Sequence, residues 1–365
     1  MIKLLTYPEI NPRQWRSLID QSPTTTWFQT PEAYEFYKSL PEEMTPFAVG
    51  VVEASPGDRL VGVVVGYITK ERSKFKQHFT RRAIIIGGPL LADDISPEAL
   101  STLLSALKKF PSLQGGELPG LGSSKRSNSG ERHYDPEKDG GGLTPIYIES
   151  RNFSDYSQWK SIFEANGFAY QPHLNFHVDC TQENMLTAMS ESRRRQIKKA
   201  IKSGVEIVEA KSCDEVKEFY AILQDLYTNK VKTPLFPLDF FLKFYEQNCG
   251  KYLLVKYADK IIGGIMCPIL KGQTIYEWFV CGMDEQYKNQ YPSVMATYAA
   301  IEYAKQHGLS RFDFMGAGKP EEAYGVRDFK ARFGGELVEH GRFLCVRKLL
   351  LHQIGKLGVK VLKKI

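Results

Sequence analysis

Tyr252-Leu253-Leu254-Val255-Lys256-Tyr257, then Ala258-Asp259-Lys260, then Ile261-Ile262-Gly263-Gly264-Ile265 reads as a β-hairpin: an apolar run, a turn signal, a second apolar run. The same order stands earlier in the chain. There Phe47 to Val52 is followed by the turn Ser55-Pro56-Gly57-Asp58 and by Val61-Gly62-Val63-Val64-Val65-Gly66. Working outward, a third strand follows each hairpin, Arg82 to Ile86 in the first case and Thr274 to Val280 in the second. A helix comes next, Pro97 to Phe110 and Pro292 to His307, with Pro at the first helical position in both. Then comes another strand, Ile146-Tyr147-Ile148 and Phe312-Asp313-Phe314. Each copy closes on an aromatic-basic stretch, Trp159-Lys160-Ser161-Ile162-Phe163 and Phe329-Lys330-Ala331-Arg332-Phe333. One unit written twice predicts two α+β domains.

The 365 residues suit two domains, and 25% charged with 42% apolar residues suits a folded globular chain. Gly115 to Gly142 holds eight Gly and four Ser, so it cannot offset its ordering entropy and is expected to be a mobile loop, about 113–143. Six Cys without a CxxC pair exclude a zinc ribbon or disulfide framework and point to a reducing compartment. The seven His show no HExxH spacing, and there is no GxSxG and no P-loop. Metal, serine-hydrolase and NTPase chemistry are therefore set aside, and no cofactor is expected. No long apolar leader opens the sequence, which argues for a cytoplasmic protein.

The net charge of +6 is unevenly placed. Arg193 to Lys202 carries six Lys/Arg and no acid, and so does Arg347 to Ile365. Outside these stretches 36 cations face 42 acids. Local contact to phosphate is thus favoured over general coating of nucleic acid. The first stretch reads as a short basic helix closed by Gly204, either a phosphate-binding element or a solvated linker. The second reads as a basic amphipathic helix, 347–365, with Leu350, Ile354, Leu357 and Val361 on one side. Such a helix lies on an anionic membrane or docks on its own domain. Lys330, following the last strand of the second unit, falls where α/β sites gather. The turn Asp284 to Ser293 has no glycine, which makes it a poor backbone cradle for a pyrophosphate.

Together these features resemble the Fem family of nonribosomal peptidyltransferases, within the GNAT-like acyltransferases. The resemblance rests on Arg194-x-x-Ile197-x-x-Ala200-x-x-x-Gly204-Val205, Gly263-Gly264, Tyr291-Pro292, Phe312-Asp313-Phe314 and Phe329-Lys330-x-x-Phe333-Gly334-Gly335. In the first half it rests on Trp27-Phe28-Gln29-Thr30-Pro31 and Phe36-Tyr37-Lys38. It implies two tandem GNAT-like domains with mixed central sheets, at 1–185 and 186–346. It also implies transfer of an amino acid from aminoacyl-tRNA to an amine of a peptidoglycan precursor. Under it, Lys330 and Phe329 are the catalytic pair, Lys38, Arg194, Tyr276 and Tyr291 bind substrate, and Glu277 and Asp313 are the candidate bases. The long helical hairpin of some members is absent: only a Pro-marked loop separates Tyr227 from Phe240. Two other readings stay open. One is an acyl-CoA-dependent N-acyltransferase acting on a cell-envelope sugar or peptide; the other is a non-catalytic protein that binds a phosphorylated ligand or a membrane surface.

Overall fold

The computed structural model describes residues 1–54, 57–70, 80–109 and 144–362. The Gly/Ser-rich stretch expected to be mobile lies outside them. The first half runs β1 (Ile2–Thr6), α1 (Pro12–Gln21), α2 (Pro31–Lys38), β2 (Met44–Glu53), β3 (Arg59–Thr69), β4 (Arg82–Gly87), β5 (Leu90–Leu91), α3 (Pro97–Lys109), β6 (Tyr147–Asn152), α4 (Lys160–Ala165), β7 (Ala169–Gln171) and β8 (Leu174–Asp179). The second runs α5 (Glu191–Lys202), β9 (Glu206–Glu209), α6 (Cys213–Leu226), α7 (Leu238–Glu246), β10 (Gly250–Tyr257), β11 (Lys260–Leu270), β12 (Thr274–Tyr276) and β13 (Phe279–Gly282). It continues with α8 (Pro292–Gln306), β14 (Arg311–Asp313), α9 (Gly325–Ala331), β15 (Glu336–Glu339), β16 (Arg342–Val346) and α10 (Leu349–Leu362).

The duplication is confirmed strand for strand. One sheet has the order β1-β2-β3-β4-β6-β16-β7 with β5 on β3; the other has β9-β10-β11-β12-β14-β8-β15 with β13 on β11. Each mixes antiparallel strands with one parallel pair, β4 with β6 and β12 with β14. That is the geometry a helical crossover imposes, and α3 and α8 are those crossovers. No helical arm leaves the body between Tyr227 and Phe240, where a single π turn and a loop lead into α7.

Two expectations need correction. The division drawn at 185/186, with a first domain ending there and a second ending at 346, is not the division between sheets. β8, encoded in the first half, lies antiparallel between β14 and β15 of the second sheet. β16, at the end of the second half, lies antiparallel between β6 and β7 of the first. The halves have exchanged their sixth strands, and the local pattern of a buried strand is the same whichever sheet receives it. The second correction concerns Thr274 to Val280, expected as one strand. It forks at Glu277: the Glu277 N–H leaves the β11 ladder and donates to the Asp313 carbonyl at 2.9 Å, while β13 stays on β11.

A shared aromatic core locks the halves together. Trp27 and Phe28 pack on Trp278 with ring centroids 6.0 and 5.1 Å apart, and Phe36 packs on Phe240 at 5.1 Å. On the far faces, α8 covers the second sheet through Met295, Ala299 and Ile301, and α3 covers the first through Leu100, Leu103 and Leu107.

Candidate active site

The second fork opens next to the end of β14. After Asp313 the chain turns through Met315 (φ 55°) and Gly316 (φ 135°), a backbone path that leaves two carbonyls pointing inward. Lys330, carried by α9, reaches them: its Nζ donates to the Phe314 carbonyl at 2.8 Å and the Gly316 carbonyl at 2.9 Å. The Glu277 carboxylate completes the set at 3.0 Å, with the two side chains only 11% and 4% exposed. Three acceptors meet the three N–H bonds of one ammonium. The other carboxylate oxygen of Glu277 accepts from the buried Thr297 hydroxyl of α8 at 3.2 Å. Burial pushes the Glu277 pKa up, and the facing Lys330 only partly offsets it.

Asp313, the other candidate base, is committed elsewhere. It accepts from Asn175 at 2.7 Å and from the Met315 N–H at 2.6 Å, and His177 Nε2 lies 3.1 Å from its second oxygen. Burial alone would raise its pKa, but these partners, His177 foremost, hold it below the ordinary value. Asn175 and His177 come from β8, the exchanged strand. Their alternation on β8, with His173 just before it, is a signal legible in the sequence.

α9 is held from behind by Arg193, which the sequence reading missed. Its guanidinium is buried, stacks on Phe329 and Phe333 at 4.4 and 4.2 Å from their centroids, and donates to the Phe329 carbonyl at 3.0 Å. It thereby satisfies one of the orphan carbonyls at the end of a short helix. Arg193, Ile197 and Ala200 form the buried face of α5. Arg194 is turned away and donates to the Thr187 carbonyl at 3.4 Å.

The structure therefore brings Lys330, Glu277 and Asp313 to one strand end, with Tyr276 opposite Asp313 in the ladder, while Phe329 stacks on Arg193 behind α9 and the other expected substrate-binding residues make contacts elsewhere. Lys38 is exposed, pairs with Glu35 at 3.3 Å and sits over the Tyr7 ring. Tyr276 is fully buried, wedged against Phe28 and Phe153, so it belongs to the aromatic core rather than to a ligand surface. Tyr291 takes a left-handed turn (φ 49°) before α8, with Lys199 5.8 Å above its ring.

Two openings share Arg151 in their lining. A cleft of about 460 Å³ runs between the first sheet and the 234–237 loop, lined by Tyr67, Lys70, Arg82, Arg151 and Phe236. Arg151 also lines a water-sized polar cavity with His173, Asn175, Gly316 and Arg342. His173 accepts from Arg342 at 2.9 Å; burial, and then that cation, push its pKa down to about 4, so it is neutral at neutral pH. On the other side, the N-terminus of α8 is occupied from within. The Ser293 N–H and hydroxyl both donate to the Asp284 carboxylate, and Pro292 at the first helical position has no N–H to offer.

Residues 189–330 match the acetyltransferase (GNAT) domain family. Among solved structures, FemX superposes with a TM-score of 0.66 at 14% identity, covering 96% of this chain and 99% of that one. The fold is therefore that of two GNAT-like domains in tandem, as in FemX. L-PGS from Bacillus licheniformis has a TM-score of 0.53 at 12% identity, with 95% and 96% of the two chains covered. A tandem GNAT protein from the clavulanic acid biosynthesis pathway has a TM-score of 0.54 at 10% identity, with 94% and 98% covered. A search of curated protein sequences finds no match. The second of the two domains is a GNAT acyltransferase domain. The first has closed the corresponding place. Its fork at Gly87 to Pro89 is filled by Gln29, which donates to the Gly88 carbonyl at 2.7 Å, and by the Tyr156 hydroxyl, which donates to the Pro89 carbonyl at 2.6 Å. Lys160, the repeat counterpart of Lys330, lies over the Tyr170 ring at 4.3 Å instead.

Proposed function

We propose that this tandem GNAT chain moves an aminoacyl group from aminoacyl-tRNA to an amine of a peptidoglycan precursor. The observation that carries the choice of donor is the occupied N-terminus of α8. A helix N-terminus with free N–H groups attracts a diphosphate. Here Asp284 holds that position, so the diphosphate of an acyl-CoA would meet an internal anion. An aminoacyl ester on tRNA needs no diphosphate cradle there. Its ester is already activated, so the protein's task is to align amine and carbonyl and to stabilise the developing oxyanion. Lys330 supplies a fixed positive charge for that purpose, and Phe329, stacked on Arg193, holds the helix that carries it. Glu277 is the better placed of the two candidate bases, since burial lifts its pKa toward the working range while Asp313 is held low. The large cleft has Arg82 and Lys70 as candidate contacts for a phosphorylated acceptor, with Glu42 and Glu43 on the same lining, and Arg151, paired with Glu149, joins that cleft to the cavity beside Gly316. Likeness in fold to FemX and L-PGS supports the same reading, and a tRNA donor puts the reaction in the cytoplasm.

A donor comparison tests it. The purified protein is incubated with a nucleotide-linked muropeptide precursor and either charged tRNA or acyl-CoA, and the acceptor is weighed by mass spectrometry. Mass gain with charged tRNA alone is expected, and the added mass names the amino acid. Gain only with acyl-CoA overturns the donor, and gain with neither overturns the acceptor.

A further inference from the structure

α10 leaves the body with its apolar side facing out. Leu349, Leu350 and Ile354 are 62%, 75% and 57% exposed, while Leu351 and His352 are half-buried. The His352 ring meets Tyr147 at 5.3 Å, which sets the helix's rotation at its root. A Cβ added at Gly355 would meet nothing within 4 Å, so the helix is open at that position too. In sequence, Leu357 and Val361 extend the series begun by Leu350 and Ile354 at helical spacing. Arg347, Lys348, Lys356, Lys360, Lys363 and Lys364 accompany it without a single acid. Among the described residues no helix is long and apolar enough to cross a membrane.

We propose that α10 is a peripheral membrane anchor that lies in the plane of an anionic lipid surface, Leu350 and Ile354 entering the acyl boundary. An apolar stripe docked on its own domain would be covered, and this one is open. A purely apolar partner would not call for six cations. A surface of negative charge over hydrocarbon satisfies both sets of groups at once. The inference stands on exposure and charge and does not rest on the transfer reaction.

The test uses the full chain and vesicles of phosphatidylcholine alone or mixed with phosphatidylglycerol. Wild type is expected to sediment with the phosphatidylglycerol vesicles only, and to be released by salt. Leu350→Glu with Ile354→Glu is expected to lower partition at least about tenfold. Lys348→Gln, Lys356→Gln and Lys360→Gln are each expected to lower it about fivefold. Leu350, Ile354 and Lys348 are exposed, so the thermal melts of the double Glu variant and of Lys348→Gln should match wild type. Equal partition of wild type and the double Glu variant, or equal binding to both vesicle types, overturns the proposal. So does a wild-type dimer in light scattering that the double Glu variant dissolves, with no vesicle binding by either; that result assigns the stripe to a second copy of the chain.

Discussion

Lys330 and Glu277 form a buried pair, and each is costly without the other. Under the proposed function, replacing Lys330 with Met should reduce turnover about 10²–10³-fold, as when an oxyanion-stabilising group is lost. It should also lower the melting temperature by leaving Glu277 buried without its cation. Adding Glu277→Gln to Lys330→Met should restore the melting temperature without restoring turnover; calorimetry and the transfer assay read the two effects separately. Recovered turnover in the double variant would show that the ammonium does no chemistry. Lys330 was legible in the sequence because Phe329 and Phe333 fix the helical phase around it. Arg193 was legible in principle, since it shares the i, i+4, i+7 face with Ile197 and Ala200. The resemblance drew the reading to Arg194 instead, and three consecutive arginines give no composition signal for which one turns inward. Lys38 and Tyr276 were misplaced for a related reason: a motif position says which residue type stands there, not whether the surroundings have become core.

Among the elements, β16 is tied to its neighbour by charge as well as by its ladder. Glu149 on β6 accepts from Arg342 on β16 at 2.8 Å and from Arg151 at 2.9 Å. Burial alone would raise the Glu149 pKa, but the two guanidiniums bring it down to about 2 from an ordinary 4.5. A depressed carboxylate contributes stability that is fully present above its unfolded value and is lost as pH falls toward its folded one. The clamp is therefore worth about 3 kcal/mol at neutral pH, and that contribution should fade between pH 4.5 and about 2. Urea midpoints measured across that range should fall for wild type. Glu149→Gln should start lower at pH 7 and show less of that fall. The hairpins and crossover helices were legible because turn residues and hydrophobic period act locally. The destination of β8 and β16 was not, because a strand flanked by strands on both sides looks alike in either sheet. The fork at Glu277 also escaped, since its cause lies in a partner, Asp313, far along the chain.

For the molecule as a whole, the duplication was readable in advance, and the two mixed sheets follow it closely. The joining of the halves was not readable: Trp27, Phe28, Trp278 and Phe240 each look like ordinary core residues of their own half. In the structure they make one shared cluster. Trp27→Ala should therefore cost about 3–5 kcal/mol, as for other large buried aromatic truncations. Both halves should lose stability together, in a single transition seen by hydrogen exchange on β3 and β11 alike. Separate transitions would show that the cluster is not shared.

The exchange of sixth strands also bears on how the chain can be made. As it is synthesised, the first sheet has every strand except one soon after Gln171, yet the missing strand, β16, arrives only when Val346 does. Until then β6 and β7 face an empty slot between them, and β8 waits for β14 and β15, the last of which ends at Glu339. The usual order, in which an N-terminal domain finishes before the next begins, is closed to this molecule. Both halves are completed late and within a few residues of each other, so a ribosome that stalls before residue 336 leaves two open sheets rather than one finished domain.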